Sequence, residues 1–208
     1  MTDAEVRAAI AAERGELAAV LAGLPAAAWD ENTLCAGWRV REVVAHMTMP
    51  FRTSVRQFVL GMVKARGNFN RMADRSARRD ASDLSVGELT AMLADNVHHP
   101  WKPPGGGFTG ALSHDVIHGL DITVPLGLER RVPVERLRIV LDGSNAKAVR
   151  YFGVDLAGIQ LRADDLDWTY GSGAVVSGAA QDLLLVLCGR KLPSGRLHGE
   201  PSARFTTA

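Results

Sequence analysis

Apolar positions along most of the chain recur every three to four residues, the spacing that lines one face of a helix. Thr2 and Glu5 form a capping-box pair, and Val6, Ile10, Leu17, Val20 and Leu21 follow as one stripe up to Gly23 and Pro25. A first helix is predicted there. Ala26 to Gly37 is irregular, with Asp30, Asn32 and Gly37 as loop formers and Trp29 and Trp38 as bulky anchors, and reads as a connection. From Trp38 onward, Val40, Val43, Val44, Met47, Phe51, Val55, Phe58 and Met62 fall within one arc at helical spacing. They predict one long second helix, kinked at Pro50. Arg66 to Asp83 is charge-rich, carrying Arg71, Arg75, Arg78 and Arg79, and reads as a solvated or mobile connection. Ser85 and Glu88 repeat the capping box ahead of Leu89, Met92 and Leu93, so a third helix starts there. His98-His99-Pro100-Trp101 and the run from Pro103 to Gly107 end it. A fourth helix is predicted from near Phe108 to about Thr123, with Leu112, Val116 and Leu120 on one face.

The last third changes character. Val134, Leu137, Val140, Leu141, Tyr151 and Phe152 keep helical spacing across an interruption at Gly143. Ile159 to Ala163 and Leu166 to Tyr170 then alternate with period two, and Ala174 to Ser177 is a third short candidate strand. Ala179 to Cys188 closes as an apolar helix ended by Gly189. Gly171-Ser172-Gly173 lacks the Lys-Ser/Thr ending of a phosphate loop and is read as a tight hairpin. Asp164, Asp165 and Asp167 lack the ligand order of a calcium loop and are read as a solvated turn. The expected fold class is mainly α: a four-helix bundle over residues 1–130, then a small α/β module over residues 131–208.

Composition narrows the function classes. The 208 residues carry 24 Lys and Arg against 23 Asp and Glu, a net charge of +1, so no field recruits nucleic acid or an acidic membrane face. No apolar stretch approaches the ~18 residues that span a bilayer. The acidic start, Thr2-Asp3-Ala4-Glu5, is unlike a secretory signal, and the expected location is the cytoplasm. The two cysteines, Cys35 and Cys188, form no CxxC pair and are read as small buried residues rather than nucleophiles.

Chemistry concentrates on the histidines. His114 and His118 stand four apart on the fourth helix, which stacks both imidazoles on one face at metal-ligand spacing. Such a pair also arises by chance, and a catalytic ion needs a third protein ligand. His46, just off the apolar stripe of the second helix, is the best candidate, and a border histidine packed on Val43 is an equal reading. His98 and His99 lie nearer in sequence but on a helix end, which holds ligands less rigidly. Asp121 shares the histidine face and is read as an acceptor for a ligand's distal N–H, against a helix-terminal surface aspartate. Trp38 is read as a packing anchor more than a pocket wall.

The segment Cys35-Ala36-Gly37-Trp38-Arg39-Val40-Arg41-Glu42-Val43-Val44-Ala45-His46 and the later His114-Asp115-Val116-Ile117-His118-Gly119-Leu120-Asp121 resemble the DinB-like superfamily. More narrowly, they resemble its actinobacterial branch, the mycothiol-dependent maleylpyruvate isomerase family. Asp165-Leu166-Asp167-Trp168, Gly171-Ser172-Gly173, Gly178 to Leu185 and Gly189-Arg190 resemble that family's second module. The resemblance implies a four-helix bundle holding a divalent metal through His46, His114 and His118, with zinc the first expectation and nickel or iron the alternatives. In the isomerase branch a glutamate stands where this chain has His114. A neutral three-histidine set leaves the ion a stronger Lewis acid and counts against maleylpyruvate itself as substrate. Arg190 matches the arginine of the family's Gly-Arg pair and is read as binding a substrate anion, the alternative being an ordinary helix-end arginine.

The expected function is that of a metal-dependent, mycothiol-using enzyme, an S-transferase or a cis-trans isomerase, which adds an activated thiolate to a small electrophile. Arg190 and Asp121 are its candidate catalytic residues, and its partners are a low-molecular-weight thiol and the electrophile, with no nucleic acid and no membrane. A monomer or a homodimer is expected. The alternative is a non-catalytic, stress-associated bundle in which a structural metal staples the helices.

Overall fold

The computed structural model describes residues 2–144 and 146–207. Chain contacts divide it into two compact units, Met1–His118 and Gly119–Ala208. The protein is mainly helical, with a small carboxyl-terminal sheet.

The first unit is built from α1 (Asp3–Ala22), α2 (Val40–Arg52), α3 (Val55–Lys64), α4 (Phe69–Asp83), α5 (Val86–Asp95) and α6, which starts at Gly107 and runs to Thr123. Reciprocal capping boxes start α1 at Thr2 and Glu5 and α5 at Ser85 and Glu88, as their sequences predict. Helices α1, α2, α5 and α6 supply the bundle, and α3 and α4 form the connection from its second helix to its third. Leu17, Leu21, Val43, Val44, Met47, Leu89, Leu93 and Leu112 are shut away from solvent. Each such burial contributes roughly 1.5–3 kcal/mol.

The connection differs from the sequence reading at two points. The second helix is not one kinked rod: it ends at Arg52, and α3 begins again after Ser54, whose hydroxyl accepts from the Gln57 N–H while Gln57 reaches back. A Ser-x-x-Gln cap four residues after Pro50 favours a fresh start over a kink. Helix α3 buries no residue fully, and Val55 is 79% exposed. The stretch read as a solvated connection over residues 66–83 is the helix α4, packed on α2. Its buried stripe is Met72, Ala73, Ala77 and Ala81, and the Asp80 carboxylate on that side accepts from Arg52. Alanines carry little hydrophobic weight beside the seven charged residues of α4, so the pattern hides the stripe, yet alanine is the strongest helix former.

The second unit holds α7 (Val134–Gly143), α8 (Ala146–Phe152), β1 (Ile159–Ala163), β2 (Thr169–Gly171), β3 (Ala174–Gly178), α9 (Ala180–Leu187) and β4 (Leu197–His198). The strand order is β2-β1-β3-β4, with β1 and β3 parallel and both outer pairs antiparallel. Gly171-Ser172-Gly173 is therefore not a hairpin. β2 and β3 lie on opposite sides of β1, and the turn crosses the start of that strand. Gly173, at φ +129°, passes so close that a Cβ would stand 2.1 Å from the Gly158 carbonyl oxygen. Gly171 meets the Ile159 carbonyl in the same way. The glycines serve close backbone passage. Asp165 caps the next element, its carboxylate accepting from the Ala180 N–H at 2.8 Å, and all of α9 is buried. No helix among the described residues is long and apolar enough to cross a membrane.

Candidate metal centre

Helical periodicity assembles the centre from two elements of the first unit. On α6 the four-residue spacing puts His114 and His118 on one side while Leu112 and Val116 are buried on the other. On α2, His46 follows the buried run from Glu42 to Ala45 and is itself only 9% exposed. Packing brings the three rings together, with centroids 5.1 Å apart for His46 and His114, 5.0 Å for His46 and His118, and 4.7 Å for His114 and His118. One ligand-capable atom from each lies within 4.8 Å of the others. His98 and His99 do not join this group. The His99 ring packs on Phe51 at 4.9 Å and its Nδ1 accepts from the Trp101 N–H. Burial, and then the nearby Arg14 cation, hold the His99 imidazole below its ordinary pKa.

Two of the three donors approach as ligands of a tetrahedral ion would. Nε2 of His46 and Nε2 of His114 are 3.2 Å apart. Two imidazole nitrogens on a tetrahedral zinc, each about 2.0–2.1 Å from it, would stand about 3.3–3.4 Å apart. Two nitrogen lone pairs at that range repel unless one ring supplies its hydrogen or a cation lies between them, so the arrangement suits a neutral-ligand divalent site.

The surroundings fix the rings. Asp115, 2% exposed, divides its carboxylate: Oδ1 lies 3.0 Å from His114 Nδ1, and Oδ2 accepts from Arg14 Nε at 2.7 Å. Arg14 is fully buried, and its Nη1 donates to the carbonyls of Asn96 at 3.2 Å and His99 at 2.9 Å. Its guanidinium carbon stands 5.0 Å from the centre of the Phe51 ring. Trp38 lies 5.1 Å from the His46 ring and is held by its indole N–H on Asp74 at 2.8 Å. Trp101 meets His114 edge-on at 5.2 Å. Trp38 thus anchors packing and walls the histidines at once. Cys35 is buried, with Sγ 3.7 Å from His118 Nδ1.

The sequence reading missed Arg14 and Asp115. A signal for Arg14 is present: it stands four residues after Ile10 and three before Leu17, on the buried side of α1, where an arginine needs a partner. What that partner is cannot be read from spacing, because it lies 101 residues away.

Asp121 and Arg190 belong to the second unit, where they pair with each other. Arg190 Nε donates to Asp121 Oδ1 at 2.7 Å and Nη2 to Oδ2 at 2.9 Å, a two-pronged contact in which the carboxylate is wholly buried. Arg190 Nη1 also donates to the Cys188 carbonyl at 3.3 Å. Asp115, the neighbour of His114 in sequence, also sets a carboxylate against a histidine Nδ1. Cys188 is buried beside this pair, and burial pushes its thiol up to about 12.

Fold and site define a class: a helical bundle with a three-histidine centre, followed by a small sheet-bearing module. Residues 10–122 match the family model of the mycothiol maleylpyruvate isomerase N-terminal domain, and the chain belongs to that family. Two solved structures share its fold, the mycothiol-dependent maleylpyruvate isomerase and a histidine-to-alanine variant of it. Each is 14% identical, with a TM-score of 0.60, and the match covers 97% of this chain and 94% of theirs. No curated protein matches the chain. The family takes its name from an enzyme, and both of these solved structures are of that enzyme.

Proposed function

We propose that this protein is a metal-dependent enzyme that uses mycothiol as nucleophile against a small electrophile, as an S-transferase or a cis-trans isomerase. The observation that carries the reading is the approach of the His46 and His114 Nε2 atoms to 3.2 Å, with His118 beside them, in a chain of this family. Residues 1–130 are taken as the metal-binding bundle and residues 131–208 as a second module of the same cytoplasmic protein.

His46, His114 and His118 would hold the ion. A divalent ion there supplies Lewis acidity that brings a thiol's ionisation down toward neutral pH. The chain's own groups do the rest. Asp115 keeps the His114 ring in one orientation, and the indoles of Trp38 and Trp101 shield the imidazoles from water. In the second unit, Asp121 holds the fork of Arg190, which is the residue proposed to bind a substrate anion. For a conjugated electrophile, the thiolate sulfur forms a bond to carbon and the carbon–carbon π pair moves onto the activating group. Rotation and expulsion of the same thiolate give the isomer, whereas proton uptake at carbon gives the transfer product. The site chemistry is common to both outcomes.

Zinc is the first metal to test. Elemental analysis of protein purified without chelator is expected to find one tightly held ion per chain, lost in His118→Ala, with mycothiol binding by calorimetry in the parent only. A parent that stays metal-free when zinc, nickel and iron are supplied would overturn the proposal.

A further inference from the structure

We propose that Asp115 and Arg14 are positioning residues of the three-histidine centre: Asp115 holds the hydrogen of His114 on Nδ1, so that Nε2 presents its lone pair to the ion, and Arg14 holds Asp115. The inference rests on the metal reading above and assigns roles in it to two residues outside the ligand set.

The geometry supplies each link. A buried carboxylate oxygen is an acceptor only, so the 3.0 Å contact with Oδ1 requires a hydrogen on His114 Nδ1. A neutral imidazole then has an unprotonated Nε2, the atom that faces His46. When no ion lies between the two Nε2 atoms, a hydrogen bond across their 3.2 Å separation would have His46 as donor and His114 as acceptor. The hydrogen between the two rings is His46's to lose, and His114 is already in its ligating form.

Arg14 determines where the carboxylate can be. Its Nε holds Oδ2 at 2.7 Å, and its Nη1 is tied to the Asn96 and His99 carbonyls just beyond α5, so the fork cannot turn without breaking backbone contacts. The chain of contacts runs from those carbonyls through Arg14 and Asp115 to the ring that Trp101 meets edge-on. The cation also offsets the cost of a carboxylate that is only 2% exposed, so the anion can be kept against the ring without water. His118 Nδ1 faces the thiol of Cys35 at 3.7 Å, a softer and longer contact.

Two measurements on the full chain test the roles. Long-range proton–nitrogen NMR of the metal-free parent, assigned against His114→Gln and His46→Gln, is expected to find hydrogen on Nδ1 of His114 and on Nε2 of His46. Hydrogen on Nε2 of His114 would overturn the proposal, and this reading does not depend on metal or on any variant's folding. Zinc competition with a chromophoric chelator is expected to give about 10- to 100-fold weaker binding for Asp115→Asn at unchanged far-UV circular dichroism. An asparagine can turn its amide N–H toward Nδ1 and reverse the tautomer. Wild-type affinity in Asp115→Asn would overturn the inference and leave the metal reading standing. Absence of zinc binding in the parent would overturn the metal reading, and with it the positioning role toward an ion.

Discussion

Replacement of Arg14 by methionine removes a buried charge while keeping most of the side chain's volume. The guanidinium is fully buried, makes three hydrogen bonds of 2.7, 2.9 and 3.2 Å, and faces a carboxylate that is 2% exposed. Loss of the cation leaves Asp115 an uncompensated buried anion, which costs about 3–5 kcal/mol. Asp115→Leu leaves the complementary orphan and costs a similar amount. In the double variant Arg14→Met/Asp115→Leu neither charge remains, and a buried pair exchanged for apolar groups is often neutral. The Asn96 and His99 carbonyls still lose their donor, at about 1–3 kcal/mol. The double variant should therefore be more stable than either single one, with a coupling of at least about 2 kcal/mol. Urea unfolding followed by tryptophan fluorescence is the suitable assay, because Trp29, Trp38 and Trp101 all lie in the first unit. Single-variant losses below about 1 kcal/mol, or additivity within about 0.5 kcal/mol, would refute the view that this pair is electrostatically coupled.

Other expectations follow from the second unit and its thiol. Arg190→Ala strands the wholly buried Asp121 carboxylate and is expected to cost about 3 kcal/mol in thermal unfolding, whereas Arg190→Ala/Asp121→Leu recovers most of it; no recovery would count against the pairing. Cys188 should resist iodoacetamide at mildly alkaline pH in the folded protein and react once urea is added. Its folded pKa is raised from 9.0 to about 12, so its contribution to stability is complete below about 9 and is lost as pH rises toward about 12. Cys188→Ala should flatten that alkaline limb, and an unchanged limb would refute the assignment. Gly173→Ala, with φ +129° and a Cβ 2.1 Å from a carbonyl oxygen, should destabilise the unit by more than about 2 kcal/mol. Gly127→Ala, at positive φ but with open space around it, is the control and should cost about 1 kcal/mol in the same melting assay.

What the amino-acid sequence determined by itself is local. Capping pairs at Thr2 and Glu5 and at Ser85 and Glu88 start helices because the hydroxyl and the carboxylate satisfy orphan N–H groups a few bonds away. The four-residue spacing of His114 and His118 put both imidazoles on one face of α6 for a reason of helix geometry alone. His46 was a candidate on α2, and the long motif around it carried the family. Where apolar weight was spread over alanines, as in α4, the same periodicity was present but outweighed by charge, and the helix was read as a connection. The turn at Gly171-Ser172-Gly173 shows a second limit, since the same glycines serve a hairpin and a crossover, and strand pairing decides which.

Tertiary structure alone decided the partners. Arg14 finds Asp115 across 101 residues, Arg190 finds Asp121 across 69, and His46 meets His114 across 68. A buried charge announces in the sequence that it needs a counterpart, because the desolvation cost is a property of the residue and its face of the helix. Which counterpart it takes depends on helix crossing, and that is set by the packing of many apolar side chains at once. The chemistry of the three histidines was thus legible as a possibility in one helix, and it became a centre only when two helices packed.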